Sequence, residues 1–332
     1  MRTSSIRRRL TLFSSSVALS LLSCAALAQA PGIDRVVLFG ASLTDTGNGF
    51  VWLSQPANQA CGTPLNVPPY DALDEFAIPD GPYAKGGHHI TNGATWAEGM
   101  ARSLALAGNA RPAFANPGMK ASNYAVGGAR AVAGYPCRFN LPDQVSAYLA
   151  DFHQTSPGTL VAMEIGGNDV RDALVAAAYG QDPAPYVQNA LFSVGNSVAT
   201  LYAYGARRFL MLNVPDIGKA PAVRLLGPAA VAGGGALSML YNFNLAQLSQ
   251  QLMLGLPGSD IRILDIHATL DAIVANPGAY GFANVSDACV TPKQPGFECK
   301  KPDTYVFWDG IHPTKAVHEI IARQAIGVIS AP

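Results

Sequence analysis

Residues 35–48 read Arg-Val-Val-Leu-Phe-Gly-Ala-Ser-Leu-Thr-Asp-Thr-Gly-Asn. The apolar residues from Val36 to Phe39 form the short continuous run that is typical of a strand buried on both faces of a sheet, and Gly40 ends it. Ser42 follows two positions later. Ligands of open α/β sheets bind beyond the carboxyl ends of the strands. We therefore expect the Ser42 hydroxyl to lie where such a fold does its chemistry, although most serines after strands are turn formers or helix caps.

The rest of the chain alternates strands and helices outward from this stretch. Apolar runs predict three more strands, at 160–165, 208–214 and 261–266, and a short strand at 121–128 that ends in a glycine turn. Helical spacing of apolar residues predicts helices at 142–152, 187–205, 237–254 and 314–329, and one that begins near Thr91-Asn92. The alternation predicts a parallel sheet with helices on both faces. Neither a repeat nor a linker is evident, so residues 29–332 are predicted to form a single domain.

The first 28 residues have the pattern of a secretory signal peptide. Four arginines precede an apolar stretch, and Ala26-Leu27-Ala28 matches a cleavage site. We predict cleavage after Ala28 and a secreted or periplasmic protein. The alternative is a lipoprotein acylated at Cys24, which the better site downstream disfavours. No later segment is long and apolar enough to span a bilayer.

Composition narrows the function classes. The chain has 332 residues, is 49% hydrophobic and 13% charged, and carries no net charge. This balance gives no electrostatic reason to expect nucleic acid or anionic membranes as partners, so a small-molecule or uncharged substrate is favoured.

Four cysteines follow the signal peptide, an even number that predicts two disulfides in an exported chain. Three connectivities are possible. We favour Cys289 with Cys299, which bracket a loop rich in proline and glycine, and by elimination Cys61 with Cys137. No cysteine pair has the close spacing of a zinc site, so no metal is expected at these residues.

Polar groups that suit ester hydrolysis follow several of the predicted strands. An ester hydrolase needs a hydroxyl nucleophile, a base, a carboxylate that orients the base, and donors for the oxyanion. Ser42, His312 and Asp309 supply the first three, and Asp309 and His312 lie three positions apart on a turn. The donors expected for the oxyanion are the backbone amides of Ser42 and Gly128 and the side chain of Asn168.

The same residues resemble the blocks of the GDSL esterases and lipases, also called SGNH hydrolases, here of the secreted bacterial type. The matching blocks, in the family's order, are 40–48, 123–129, 166–169 and 309–314. The resemblance implies a three-layer α/β/α sandwich around a mostly five-stranded parallel sheet, flavodoxin-like in strand order. It also implies a cofactor-independent serine hydrolase of carboxylic esters, acting on small-molecule or lipid esters through an acyl-enzyme at Ser42.

One position departs from the family pattern, because Ala41 stands where the family usually has aspartate. The resemblance implies that this aspartate supports the turn around the nucleophile, so we expect activity that is retained or weakened. Two alternatives stay open: an acyltransferase that uses the same acyl-enzyme, and a binding protein on the hydrolase scaffold. His88 and His89 are interpreted as loop residues near the cleft rim, His318 as a helix-surface residue, and Asp45 and Asn48 as turn and capping groups beside the nucleophile.

Overall fold

Four parallel strands form the central sheet, and each coincides with an apolar run of the sequence. The computed structural model describes residues 32–53, 55, 58, 89–116, 118, 120–134, 138–290 and 298–331. Within them the strands follow each other across the sheet in chain order, and their bounds are Arg35–Gly40 (β1), Thr159–Glu164 (β2), Arg208–Leu212 (β3) and Asp260–Leu264 (β4). All three pairings are parallel. Every residue of β2 is buried, as a strand covered on both faces requires.

The α/β fold is confirmed, but the expected fifth strand is not fully formed. The segment 121–126 runs along the outer edge of β1, where Leu38 accepts a hydrogen bond from Tyr124 at 2.8 Å and donates one to Ser122 at 2.9 Å. Only Asn123 forms a bridge to β1. A regular ladder does not form because the amides that would extend it bond other groups: the Val36 amide donates to Oδ1 of Asn109, the Gly40 amide to Oε1 of Gln144, and the Ser122 amide to the carbonyl of Asn109.

Helices cover the sheet in two groups. The helices are Asn48–Leu53 (α1), Trp96–Ser103 (α2), Leu141–Phe152 (α3), Gly167–Ala178 (α4), Ala184–Ala203 (α5), Pro221–Leu225 (α6), Pro228–Gly255 (α7), Ile266–Ala275 (α8) and Lys315–Ser330 (α9). In one group α3 packs against α5 and α5 against α7, and in the other α2 packs against α9. Both α7 and α9 also contact β4.

Helix α2 begins later than the sequence pattern suggests. Thr95, not Thr91 or Asn92, is its N-cap: the Thr95 hydroxyl accepts from the Glu98 amide, and the Glu98 carboxylate accepts from the Thr95 amide. This reciprocal capping box satisfies two backbone donors at once. Neither Thr91 nor Asn92 can form one, because neither is followed three positions later by glutamate or glutamine. Asn92 instead accepts a hydrogen bond from the amide of Lys315, at the start of α9.

A second, two-stranded parallel sheet near the C-terminus was not expected from the sequence. It consists of Asn284–Ala288 (β5) and Tyr305–Phe307 (β6), and a disulfide joins Cys289, just after β5, to Cys299. Strand β6 leads directly into the turn that carries Asp309 and His312. This small sheet therefore fixes where that turn emerges.

Several predictions fall outside the described residues. They are the signal peptide with its cleavage site at Ala28, the lipoprotein alternative at Cys24, His88, and the pairing of Cys61 with Cys137. Among the residues that are described, no helix has the length and apolar character needed to cross a membrane.

Candidate active site

The turn after β1 places Ser42 at the carboxyl end of the sheet. Gly40 is required there, since its φ is +155° and a Cβ would collide with the carbonyl of Glu164, its partner on β2. The buried side chain of Gln144 bonds the Gly40 amide and carbonyl, both at 2.9 Å. The backbone that enters the turn is therefore held from two sides.

A chain of hydrogen bonds connects Ser42 to a buried carboxylate. The Ser42 hydroxyl lies 2.8 Å from Nε2 of His312, and Nδ1 of His312 lies 2.7 Å from Oδ2 of Asp309. Asp309 is fully buried, and its other oxygen accepts from the amides of Ile311 and His312. Because a carboxylate only accepts, it holds the proton on Nδ1 and leaves Nε2 as an acceptor facing the serine hydroxyl.

The Gly127-Gly128 turn and the first turn of α4 lie side by side. Asn168 is the second residue of α4, and its Nδ2 donates to the carbonyl of Ala129 at 2.9 Å. One side-chain hydrogen of Asn168 remains for another acceptor. Within the described part of the chain, the amides of Ser42 and Gly128 donate no hydrogen bond to the protein. These three N–H groups are thus available donors on neighbouring segments.

Buried polar side chains fasten these turns together. Asp45 accepts four backbone hydrogen bonds, from Gly47, Asn48, Gly49 and Gly127, at 2.7 to 2.9 Å. Burial raises the pKa of Asp45, and the four amides act in the opposite direction. Asn48 Nδ2 donates to the carbonyls of Asn123 and Ala125. Asp45 is thus a capping group of its own turn, as expected, whereas the Asn48 side chain does not cap this turn but bonds the distant segment 123–125.

Glu164 is a site residue that the sequence analysis missed. It ends β2 and lines the same cleft as Ser42, and its carboxyl group accepts from the Thr44 hydroxyl at 3.2 Å and the Ala41 amide at 3.4 Å. Burial raises the pKa of Glu164 to about 8, only partly offset by these two hydrogen bonds. Glu164 therefore supports the nucleophile turn at the position where Ala41 has no carboxylate of its own.

The cleft beside Ser42 has a volume of about 120 Å³, and both polar and apolar side chains line it. The apolar side chains include Ile217, Val223, Leu270, Phe307 and Ile311. The polar side chains include Glu164, Asn168 and Arg171. The segment between β3 and α7 contributes Ala220 and Val223 to the cleft, and most of residues 50–89 lie outside the described residues.

The histidine interpretations are partly wrong. His318 is not on the surface but 1% exposed, because α9 packs against α2, and its Nδ1 accepts from the Trp96 amide at 3.2 Å. Burial lowers the pKa of His318 to about 3. His89 is also buried, and its Nε2 lies 3.0 Å from the carboxylate of Glu98. No group of three or more metal-ligating side chains is present in the described ranges.

The sequence matches one known protein family over most of its length. The sequence profile described as GDSL-like Lipase/Acylhydrolase matches residues 36–325. The chain belongs to this family. The matched region contains Ser42, Gly128, Asn168, Asp309 and His312, so every residue of the hydrogen-bonded chain and of the proposed donors lies inside it.

Individual family members resemble the chain at low identity. A GDSL esterase/lipase of Arabidopsis thaliana is 27% identical over 89% of this chain and 85% of its own length. The thermolabile hemolysin of Vibrio parahaemolyticus is 25% identical, and the chain spans 64% of its length. Lipase 1 of Photorhabdus luminescens is 24% identical, and the chain spans 52% of its length. Plants and bacteria are both represented, so the family membership does not single out a bacterial secreted type.

Proposed function

We propose that this protein is a secreted serine ester hydrolase that cleaves carboxylic esters through an acyl-enzyme at Ser42. The observation that carries the proposal is the hydrogen-bonded chain from the Ser42 hydroxyl through His312 to Asp309, with separations of 2.8 and 2.7 Å. Family membership supports the same reaction class. Secretion rests on the signal-peptide pattern of residues 1–28.

Acylation begins with proton transfer to histidine. Nε2 of His312 takes the proton from Ser42 as Oγ attacks the ester carbonyl carbon, and buried Asp309 stabilises the imidazolium that forms. The negative charge that develops on the carbonyl oxygen is met by the amides of Ser42 and Gly128 and by Nδ2 of Asn168. His312 then protonates the leaving alkoxide, which departs as the alcohol.

Deacylation repeats these steps with water as the nucleophile. His312 accepts a proton from the water as it attacks the acyl carbon, and returns that proton to Oγ of Ser42 when the acid leaves. The same three N–H donors serve the oxyanion of this second step, and donors that are positioned beforehand stabilise it without reorganisation.

The absence of a carboxylate at position 41 does not leave the nucleophile turn unsupported. The carboxyl group of Glu164 accepts from the Ala41 amide and the Thr44 hydroxyl, and the Thr44 hydroxyl also accepts from Nε1 of Trp96 at 3.0 Å. These contacts favour an active enzyme over a binding protein that has lost its chemistry.

The test is hydrolysis of p-nitrophenyl esters from acetate to palmitate at several pH values. We expect turnover by the wild type, loss of turnover in Ser42→Ala, and full turnover in Ser103→Ala, which removes an exposed hydroxyl on α2. Equal activity in Ser42→Ala would refute the proposal. The chain-length profile separates esterase from lipase, and product ratios with added alcohol measure acyl transfer.

A further inference from the structure

Arg171 presents a cation to the cleft that contains Ser42. It lies on α4 three residues after Asn168, so the two side chains project from the same side of the helix, and both line the cleft. The Arg171 side chain is 27% exposed. It is therefore largely withdrawn from solvent but accessible to a molecule in the cleft.

The acidic neighbour of Arg171 is already engaged by another arginine. Asp172 receives two hydrogen bonds from Arg130, from Nε at 2.8 Å and from Nη2 at 2.9 Å. Arg171 reaches the same carboxylate through a single contact of 3.5 Å. A guanidinium has five N–H donors, so most of the hydrogen-bonding capacity of Arg171 is unused by this contact.

Partial burial of this cation is costly when its one carboxylate contact is the long one to Asp172. Desolvation lowers the pKa of Arg171, and the nearby charges of Arg130 and Arg138 act in the same direction, whereas Asp172 opposes them. Arginine nevertheless stays charged in proteins. Buried charges are normally paired, because an unpaired charge loses its hydration without compensation.

Three other acidic residues line the cleft or precede Arg171 on α4, and none of them forms an ion pair with it among the described residues. Burial raises the pKa of Asp169 to about 7 and that of Glu164 to about 8, which favours the neutral form of both carboxyl groups. Asp216 lies 3.1 Å from Nζ of Lys219. Within the described part of the chain, the contact with Asp172 is therefore the only carboxylate pairing of Arg171.

We propose that Arg171 binds an anionic oxygen group, a carboxylate or phosphate, carried by the ester substrate. The inference rests on the proposed hydrolase function and adds a substrate class to it. Carboxylate and phosphate oxygens match the planar donor pair of a guanidinium, which favours arginine for this task. With Arg171 one helical turn from Asn168, the anion lies close to the ester that reacts with Ser42.

The experiment compares anionic esters with their neutral counterparts. On the acyl side the pair is 4-nitrophenyl hydrogen succinate and 4-nitrophenyl methyl succinate. On the alcohol side it is 4-acetoxybenzoate and methyl 4-acetoxybenzoate, with 4-acetoxyphenyl phosphate as the phosphate arm. The readout is the ratio of kcat/KM for the anionic ester to that for the neutral ester. A general loss of activity leaves this ratio unchanged.

In Arg171→Gln we expect this ratio to fall about 10- to 100-fold for at least one pair, since hydrogen bonds to charged groups have this strength. The ratio for Arg171→Lys should lie between those of the wild type and Arg171→Gln. The ratio for Arg323→Gln, which removes an exposed charge on α9, should equal that of the wild type. An unchanged ratio for all pairs in Arg171→Gln would overturn the proposal.

A binding measurement separates this proposal from the hydrolase proposal. Calorimetric titration of the Ser42→Ala protein with 4-acetoxybenzoate, 4-nitrophenyl hydrogen succinate and 4-acetoxyphenyl phosphate needs no turnover. Binding of one of them that weakens about 10-fold or more in the Ser42→Ala/Arg171→Gln protein supports the anion site even if no ester is hydrolysed. Turnover by the wild type, with binding and ratio both insensitive to Arg171→Gln, refutes the anion site and leaves the hydrolase intact.

Discussion

Replacing Glu164 with glutamine should make the protein more stable, and increasingly so as the pH rises. Burial raises the pKa of Glu164 from 4.5 to about 8. Between these values the unfolded chain releases the Glu164 proton and the folded protein keeps it, so the free energy of unfolding decreases as the pH increases. One pKa unit corresponds to about 1.4 kcal/mol, so ionisation of this buried carboxyl destabilises the fold by up to about 5 kcal/mol above pH 8.

Glutamine keeps an oxygen that accepts from Ala41 and Thr44 but has no proton to lose in this range. We expect the stability difference between Glu164→Gln and the wild type to grow by about 3 kcal/mol from pH 5 to pH 7.5, measured by urea unfolding. Other buried acids, such as Asp45, are present in both proteins and cancel in the difference. Glu319→Gln, at an exposed position on α9, is the control and should show no such growth. A difference that is constant over this pH range would refute the reasoning.

Four further variants test the geometry of the site and of its turns. Asn168→Ala should lower kcat by about 100-fold or more with an unchanged unfolding midpoint, and full activity would remove Asn168 from the oxyanion donors. Asp309→Asn should lower kcat by a factor on the order of 10⁴, because the amide no longer holds the proton on the histidine nitrogen that faces it; a loss below tenfold would contradict this. Gly166→Ala should destabilise the fold by about 3 kcal/mol or more, since its φ is +112° and a Cβ would collide with the ring of Tyr241. Gly180→Ala, at φ +73° with open space around it, should lower the free energy of unfolding by only about 1 kcal/mol. Thermal unfolding measures both glycine variants, and equal losses of stability would refute the collision.

The strands and the local turns of the site are the parts of this structure that the sequence makes predictable. Apolar runs such as Val36–Phe39 have few alternatives to a buried strand, and all four central strands lie where those runs occur. Asp309 and His312 are three residues apart on one turn, so their contact depends on local geometry alone. Ser42 and His312 lie within hydrogen-bond distance, although the small sheet that leads into the His312 turn was not predicted.

The features that escaped prediction depend on contacts between distant segments. Glu164 lies within a predicted strand, and its contact with the turn that carries Ser42 follows only from the register that pairs it with Gly40. The burial of His318 depends on the packing of α2 against α9, which the sequence of α9 alone does not indicate. Strands β5 and β6 are short and lack an alternating apolar pattern, so periodicity gave no signal for them.

The two halves of the Ser42–His312 hydrogen bond are separated by 270 positions in the chain. During synthesis the hydroxyl therefore emerges early, and the imidazole emerges only after all four central strands have been made. In a refolding experiment, the proposed ester hydrolysis would therefore begin only when the last turn has formed and α9 has packed against α2. Fluorescence of Trp96, which lies in the contact between α2 and α9, reports the same packing without the need for turnover. An incomplete chain that ends before β6 lacks the histidine that the proposed mechanism uses as its base, so the proposed catalysis requires the chain to be made through His312.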